Sequence, residues 1–317
     1  MKAINFNSGW KWKRQDGGEW AETDLPHDAM ISEPRTIDSD GGTNTGWFEG
    51  HDYEYVKTFE VPAAYEGMAV TFEFEGVYRN AEVYINGEKA MYRPYGYTNF
   101  YVPAEDFLRF GQTNEMRVVA RNADQPNSRW YSGAGIYRPV TMYVQPKKRI
   151  PLGGVRIRTL EIKPAVVEIK VATSEPGEVS VTIARGGRTV AELTAESGTE
   201  AVFAAEIPDA ELWSPDSPAL YTCTARFGDD EAVETFGVRK IECDAVSGFR
   251  INGERVIIRG ACIHHDNGIL GARCYEEAEE RKIRLLREAG YNAVRSAHNP
   301  CSKAMLRACD RLGVMMM

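Results

Sequence analysis

The sequence predicts a multidomain, mainly β protein: two β-sandwiches followed by the first βα units of a barrel. Three observations support this prediction. The chain has 317 residues, which is more than one hydrophobic core usually serves. Short alternating runs separated by turn residues fill residues 1–241, and the pattern changes to β-α-β-α-β near residue 245. The predicted domains are therefore residues 1–145, 146–241 and 242–317.

The first domain, residues 1–145, contains only short β-rich runs. The clearest are Tyr53 to Val61, Ala69 to Phe74, Ala81 to Ile85 and Met116 to Ala120. The dipeptide Asn86-Gly87 follows one of them and is a strong hairpin signal. Because no stretch has a convincing helical period, we predict a jelly-roll β-sandwich.

The second domain begins after a polar linker that is opened by Pro146. Its β-rich runs recur at the spacing of a sandwich: Val155 to Leu160, Val166 to Ala172, Val179 to Ala184, Ala201 to Ile207, Tyr221 to Phe227 and Glu234 to Ile241. Six or seven strands over roughly 90 residues are typical of an immunoglobulin-like sandwich. The Cys-Trp-Cys pattern of true immunoglobulin domains is absent.

The third domain has the strands of a parallel α/β unit. Arg255 to Cys262 is a near-continuous apolar run, as expected for a strand buried on both faces. Asn292 to Ala297 predicts a second strand, and Val314 to Met317 a third.

Two helices are predicted between these strands. In Glu276 to Ala289, the residues near one face are Ala278, Leu285, Leu286 and Ala289, and Gly290 ends the helix. Ser302 is a candidate N-cap for the second helix, which Gly313 ends. Its apolar residues recur at three or four positions: Met305, Leu306, Cys309 and Leu312.

This α/β unit is short for a barrel. A (β/α)8 barrel takes about 250 residues, and 73 follow residue 244. The strands and helices would leave apolar faces uncovered, which soluble monomers rarely tolerate. We therefore expect either that the natural protein continues past Met317, as a truncated barrel implies, or that this region docks onto another surface.

Composition excludes several functional classes. The net charge of −8 without a basic run disfavours nucleic acid and anionic membranes as partners. Membrane-helix, secretory-signal, P-loop and zinc-protease patterns are also absent. The six cysteines form no C-x-x-C pair, which predicts reduced thiols in a cytoplasmic protein, with a metal-binding or nucleophilic thiol as the alternative.

Several segments, taken in order, resemble family 2 glycoside hydrolases, the family of β-galactosidases, β-glucuronidases and β-mannosidases. The motifs that carry this resemblance include Leu25-Pro26-His27-Asp28, the segments Arg129 to Arg138 and Arg259 to Asp266, and Asn292 to Pro300. Each motif is weak alone, but their order and spacing across three domains make the match specific. The resemblance implies a jelly-roll sugar-binding-like domain, an immunoglobulin-like domain and a TIM barrel.

The resemblance also implies a function. It suggests a retaining, exo-acting β-glycosidase, with β-galactosidase as the leading interpretation and β-glucuronidase as the alternative. The family's two catalytic glutamates follow the fourth and seventh barrel strands, so no catalytic residue is expected in this chain, which we predict to be inactive alone. A non-catalytic carbohydrate-binding or scaffold protein is the alternative from another class.

Four residues of the third domain are expected to bind the sugar. His264 and His298 follow the first and second barrel strands and match sugar-contacting histidines of the family. His265 is one register step away, so it is the alternative to His264. Arg295 matches an arginine that keeps the nucleophilic glutamate ionised, and Asp266 matches a common family position. Loop or salt-bridge roles are the structural alternatives.

The first domain supplies further candidates. Arg129, Trp130 and Asn127 lie where the family extends a loop to the barrel mouth, and Asn44 lies near another sugar-contacting position. The alternative places Trp130 in the sandwich core and Arg129 on the surface. Several relatives have an aspartate at the position of Arg129, so a family-type sodium or magnesium ion is doubtful and no cofactor is predicted. The expected partners are a carbohydrate and, as often in the family, further copies of the chain.

Overall fold

The computed structural model describes residues 1–317 and begins with a β-sandwich of ten strands. These strands are β1 (Lys2–Asn5), β2 (Trp10–Arg14), β3 (Ala21–Thr23), β4 (Asp52–Val61), β5 (Ala69–Phe74), β6 (Ala81–Ile85), β7 (Glu88–Arg93), β8 (Phe100–Pro103), β9 (Gln112–Arg121) and β10 (Val140–Gln145). They form two antiparallel sheets, in the orders β1-β10-β5-β8 and β3-β2-β4-β9-β6-β7.

The core of this sandwich lies between the two sheets. Alternate residues of a strand point to opposite faces, so Tyr53 and Tyr55 of β4 are fully buried while Glu54 between them is not. Phe72 and Phe74 of β5 meet them from the other sheet. The predicted hairpin at Asn86-Gly87 is confirmed, because both residues have positive φ, 51° and 87°, between β6 and β7.

The second sandwich has seven strands, β11 (Val155–Ile162), β12 (Ala165–Ala172), β13 (Gly177–Arg185), β14 (Arg188–Ser197), β15 (Glu200–Ile207), β16 (Tyr221–Phe227) and β17 (Asp230–Phe236). Their sheet orders are β11-β12-β15 and β14-β13-β16-β17, all antiparallel. Both sheets contribute side chains to one core, as in an immunoglobulin-like sandwich.

The strand pattern of this domain differs in two places from the sequence prediction. Strand β14 is an additional edge strand, and its inward side chains Val190 and Leu193 are only partly buried, so the hydrophobic pattern does not indicate it. The strand predicted over Glu234 to Ile241 instead runs from Asp230 to Phe236, because Gly228 adopts a positive φ of 58° and turns the chain directly after β16. Ile241 belongs to the next strand, in a separate sheet.

The third part contains two small sheets and two helices. The strands are β18 (Ile241–Asp244), β19 (Gly248–Ile251), β20 (Glu254–Arg255), β21 (Gly260–Ile263), β22 (Ala293–Ser296) and β23 (Met315–Met316). The helices are α1 (Glu276–Glu288) and α2 (Lys303–Leu312). Strands β18 to β20 pair antiparallel, whereas β21, β22 and β23 form a parallel sheet in that order. The predicted fold class is thereby confirmed.

The prediction of one buried strand over Arg255 to Cys262 is wrong. The segment is divided between β20 and β21, and between them Ile257 and Ile258 are 66% and 44% exposed. Strand β21 lies at the edge of a three-stranded sheet, so no neighbouring strand covers this side. An apolar run indicates that burial is favourable, but it does not show that a partner surface is present.

The helix limits agree with the predicted signals, but the buried face of α1 does not. The Ser302 hydroxyl accepts a hydrogen bond from the Met305 amide at 3.1 Å and caps α2. In α1 the buried residues are Glu279 and Ile283, whereas Leu285 is 41% exposed. Glu279 turns inward because its carboxylate accepts from Asn267 at 2.7 Å, a contact that hydrophobic periodicity cannot reveal.

The parallel unit rests on both sandwiches. Arg138 of the first donates to the carbonyl oxygen of Pro300 at 2.9 Å. Trp213 of the second donates to the carbonyl oxygen of Asp310 at the same distance. No helix reaches the length and apolar character that crossing a bilayer requires.

Candidate functional site

The two predicted histidines meet at the carboxyl ends of neighbouring parallel strands. Ile263 of β21 pairs with Ser296 of β22, so the residues that follow them leave the sheet side by side. The ring centroids of His264 and His298 are 6.0 Å apart and their planes are nearly perpendicular. In α/β barrels this edge of the sheet carries the ligand site.

Arg295 joins this pair from within β22. Its Nη1 lies 3.2 Å from Nδ1 of His298. A guanidinium can only donate, so Nδ1 must accept, and the proton of the neutral ring then sits on Nε2. His298 is therefore oriented by Arg295 and can donate a hydrogen bond through Nε2.

Trp130 reaches the histidines from the first domain. Its ring centroid is 5.4 Å from that of His264 and 5.3 Å from that of His298. The indole Nε1 donates to the Tyr97 hydroxyl at 3.1 Å, which fixes the orientation of the ring. The candidate site thus comprises Trp130, His264, Arg295 and His298, and it crosses a domain boundary.

His265, the alternative one residue away, has a different environment. Its Nε2 donates to the carbonyl oxygen of Ser132 at 3.0 Å, and its ring packs against Tyr97 and Tyr137. Burial lowers the pKa of His265 to about 4, so the ring is neutral at physiological pH. His265 therefore helps to join the third part to the first domain, whereas His264 contacts Trp130 and His298.

Asp266 directly follows His264 and His265 in a loop that a lysine anchors. Lys282 of α1 donates to the main-chain carbonyl oxygens of Asp266 at 3.0 Å and His264 at 3.4 Å. Asp266 itself is only partly buried. The carboxylate lies near the site in sequence, but the structure assigns it no contact with Trp130 or His298.

Asn127 and Arg129 precede Trp130 in the same loop and differ in their surroundings. The amide of Asn127 donates to Asn122 at 2.9 Å and to a main-chain oxygen at 2.7 Å, and its oxygen accepts from Tyr78 at 2.9 Å. Its side chain therefore holds the loop. Arg129 is exposed.

The position of Arg129 does not fit a sodium or magnesium ion. These cations require oxygen ligands, whereas Arg129 presents a positively charged guanidinium, which has no acceptor atom. Nor does the structure gather three or more His, Cys, Asp or Glu side chains into a set that could hold a metal ion.

Asn44 lies in a one-turn 3-10 helix, Gly42–Thr45, outside the cluster of Trp130 and the histidines. The contacts of this turn run to Phe48, whose ring packs against Tyr131. Tyr97 is a residue that sequence reasoning did not propose for the site, and its hydroxyl accepts the hydrogen bond of the Trp130 indole. The two residues are 33 positions apart, so no local spacing reveals this contact.

Two β-sandwiches followed by parallel βα units, with an indole placed against two histidines at the strand ends, are an architecture typical of the multidomain glycoside hydrolase class. Family models match nearly the whole chain: a galactose-binding-like domain of glycosyl hydrolase 2 at residues 6–147, glycosyl hydrolases family 2 at 154–239, and the TIM barrel domain of that family at 244–317. The chain belongs to glycoside hydrolase family 2.

Curated relatives and solved structures agree with this membership. The β-galactosidase BoGH2A of Bacteroides ovatus is 35% identical over 99% of the chain, which spans 40% of that protein. A β-glucuronidase of Bacteroides fragilis is 24% identical over 98% of the chain, which spans 48% of it. A family 2 crystal structure from Bacteroides cellulosilyticus superposes with a TM-score of 0.94 at 33% identity, covering 100% of this chain and 45% of that one. The chain thus spans less than half the length of these proteins.

Proposed function

We propose that this chain supplies sugar-positioning groups of a retaining, exo-acting β-glycosidase that hydrolyses terminal β-galactosides. The observation that carries the proposal is the cluster of Trp130, His264 and His298 at the carboxyl edge of the parallel sheet. The similarity of the chain to BoGH2A, a β-galactosidase, supports galactose as the sugar.

The chemistry of the cluster suits a sugar. An indole presents an apolar face that can pack on the C–H face of a pyranose ring, and imidazoles exchange hydrogen bonds with hydroxyl groups near neutral pH. His298 offers its Nε2–H because Arg295 occupies Nδ1. The Nδ1 of His264 is buried, and its ring makes no hydrogen bond within the chain, so Nε2 is the nitrogen that retains capacity for a ligand.

Bond cleavage requires more than these groups. Retaining hydrolysis uses two carboxyl groups about 5–5.5 Å apart, one as the acid/base and one as the nucleophile. The family places them after the fourth and seventh barrel strands, and the parallel sheet here has three strands. We propose that the 317-residue chain binds the sugar weakly and does not turn it over. A cation beside a carboxylate lowers the pKa of that carboxylate, so Arg295, which is exposed in this chain, would keep a nucleophile placed beside it ionised.

The test measures binding to the 317-residue chain by saturation-transfer NMR. The three ligands are methyl β-galactoside, methyl α-galactoside and methyl β-glucuronide. The β-galactoside is expected to give the strongest transfer, and His264→Ala or His298→Ala to remove it. His51→Ala is the matched control, since this first-domain histidine pairs with Asp16, away from the cluster. Equal transfer from all three glycosides, or retention of the signal in both alanine variants, contradicts the proposal.

A preference for the glucuronide would instead favour a β-glucuronidase, the activity named for the Bacteroides fragilis relative. Hydrolysis of an aryl β-galactoside by the 317-residue chain would contradict its proposed inactivity. We further propose a reducing, cytoplasmic location, which is supported by six unpaired cysteines.

A further inference from the structure

Asp28 is a fully buried carboxylate that accepts four hydrogen bonds. Oδ2 accepts from the Tyr131 hydroxyl at 2.6 Å and from the Ala272 amide at 2.8 Å. Oδ1 accepts from the Ala134 and Met30 amides at 3.0 and 3.1 Å. An ionised carboxylate has about four acceptor positions, so these donors match it fully.

Three of the four donors come from segments that flank the candidate site, and the fourth, Met30, lies two residues after Asp28. Tyr131 and Ala134 belong to the loop that carries Trp130. Ala272 belongs to the loop that follows β21 and begins with His264. Asp28 therefore bonds both to the segment that carries the indole and to the segment that carries the first imidazole.

The surrounding backbone is closely fitted to this carboxylate. A Cβ atom placed on Gly271 would overlap Oδ2 of Asp28, and one on Gly133 would lie 2.9 Å from the same atom. Both glycines have positive φ, 63° and 67°. The two loops reach Asp28 only because neither has a side chain at these points.

From this geometry we infer that Asp28 is a positioning residue, which holds Trp130 over His264 and His298 by tying the two loops to one carboxylate. The sugar-binding part of this inference rests on the proposed function. The positioning itself does not, because it concerns only the distances between Trp130 and the two histidines.

Substitution by asparagine separates charge from shape. In Asp28→Asn the new side chain would fill the same volume, but its NH2 group would face N–H or O–H donors where Asp28 has an acceptor oxygen. At least two of the four hydrogen bonds would be lost, and a buried donor would remain unpaired. We therefore expect the Trp130 loop to become displaced in Asp28→Asn while both sandwiches keep their cores.

The experiment uses the whole chain labelled with 5-fluorotryptophan and followed by 19F NMR. The Trp130 signal is assigned by Trp130→Phe, and the five other tryptophans report on the rest of the chain. In Asp28→Asn the Trp130 signal is expected to shift or split while the other five stay in place. Binding of methyl β-galactoside is expected to weaken about tenfold or more.

Two further variants make the result decisive. Tyr131→Phe removes one donor without disturbing the carboxylate, and it should shift Trp130 less than Asp28→Asn does. Glu33→Gln is the matched control, because Glu33 is a buried carboxylate that accepts from Tyr53 at 3.2 Å within the first domain. If Asp28→Asn does not fold, Tyr131→Phe alone decides.

An unmoved Trp130 signal in a folded Asp28→Asn or Tyr131→Phe protein overturns the inference, as does an equal shift in Glu33→Gln. If the unsubstituted chain binds no glycoside but Asp28→Asn still shifts Trp130 alone, the proposed function fails while the positioning role stands. If the chain binds the galactoside and Asp28→Asn changes neither the Trp130 signal nor the affinity, the positioning role fails while the proposed function stands.

Discussion

Lys303 and Glu73 form an ion pair between the first residue of α2 and the middle of β5, with Nζ at 2.6 and 2.7 Å from the two carboxylate oxygens. The Glu73 side chain is 1% exposed and that of Lys303 is 40% exposed. The pair joins the parallel unit to the first sandwich next to the loop that carries His298. Its energetic role can be measured because only one partner is fully buried.

Replacing Lys303 by methionine should lower the free energy of unfolding by about 2 kcal/mol, because it leaves a buried carboxylate without its cation. The loss should stay below the roughly 3–5 kcal/mol of a fully buried pair, since Asn99 and Tyr143 still donate to Glu73. Urea unfolding measures it. Lys89→Met, which breaks an exposed pair with Glu82, should cost clearly less, because solvent screens that pair. Equal losses would contradict a special role for the buried pair.

Stability should fall as the pH decreases from about 6.5 toward 4, in part through His265. Burial lowers its folded-state pKa to about 4, whereas the unfolded chain protonates near the ordinary value of 6.5. Between these values only the unfolded state binds the proton, so acid favours unfolding. The contribution reaches up to about 3 kcal/mol at pH 4.

In His265→Gln the unfolding free energy should therefore fall less steeply between pH 6.5 and 4. The difference in slope should correspond to about one proton fewer taken up on unfolding. Urea titrations at several pH values measure this slope. His27 is buried as well, and desolvation lowers its pKa to about 3, so the variant should retain part of the dependence. Identical slopes in variant and parent would show that His265 is protonated in the folded state.

Ser302→Ala should destabilise the chain by about 1–2 kcal/mol, because it removes the N-cap of α2. The hydroxyl accepts from Met305 and lies 3.3 Å from a Glu279 oxygen. Ser302→Gly is a useful comparison, since glycine is itself a tolerated N-cap residue and should cost less. A larger loss for glycine than for alanine would argue that the cap is not what Ser302 contributes.

Trp130→Phe should weaken binding of methyl β-galactoside about tenfold while the chain stays folded. The smaller ring loses indole contact area and the hydrogen bond to Tyr97. Trp20→Phe is the matched control, because Trp20 is an exposed indole of the first domain that packs on Lys13. Comparable losses in the two variants would place the sugar elsewhere.

Much of the fold follows from local pattern. Ala69–Phe74 and Ala81–Ile85 have the predicted strand limits because alternation and a hairpin turn define them within the segment itself. The exposure of Leu285 and Ile257 could not be predicted in this way, because the burial of each side chain depends on whether another element lies opposite it. The edge strand Arg188–Ser197 was missed for a similar reason, since its inward face is only half covered.

The sequence by itself determined the three-part architecture and the proximity of His264 to His298, because parallel pairing brings the ends of adjacent strands together. The tertiary structure decided which side chain of the Trp130 loop meets these histidines, that His265 faces the first domain, and that Asp28 accepts hydrogen bonds from both loops. The contact between Asp28 and Ala272 joins residues 244 positions apart. Such contacts depend on domain packing, which leaves no periodicity in the chain.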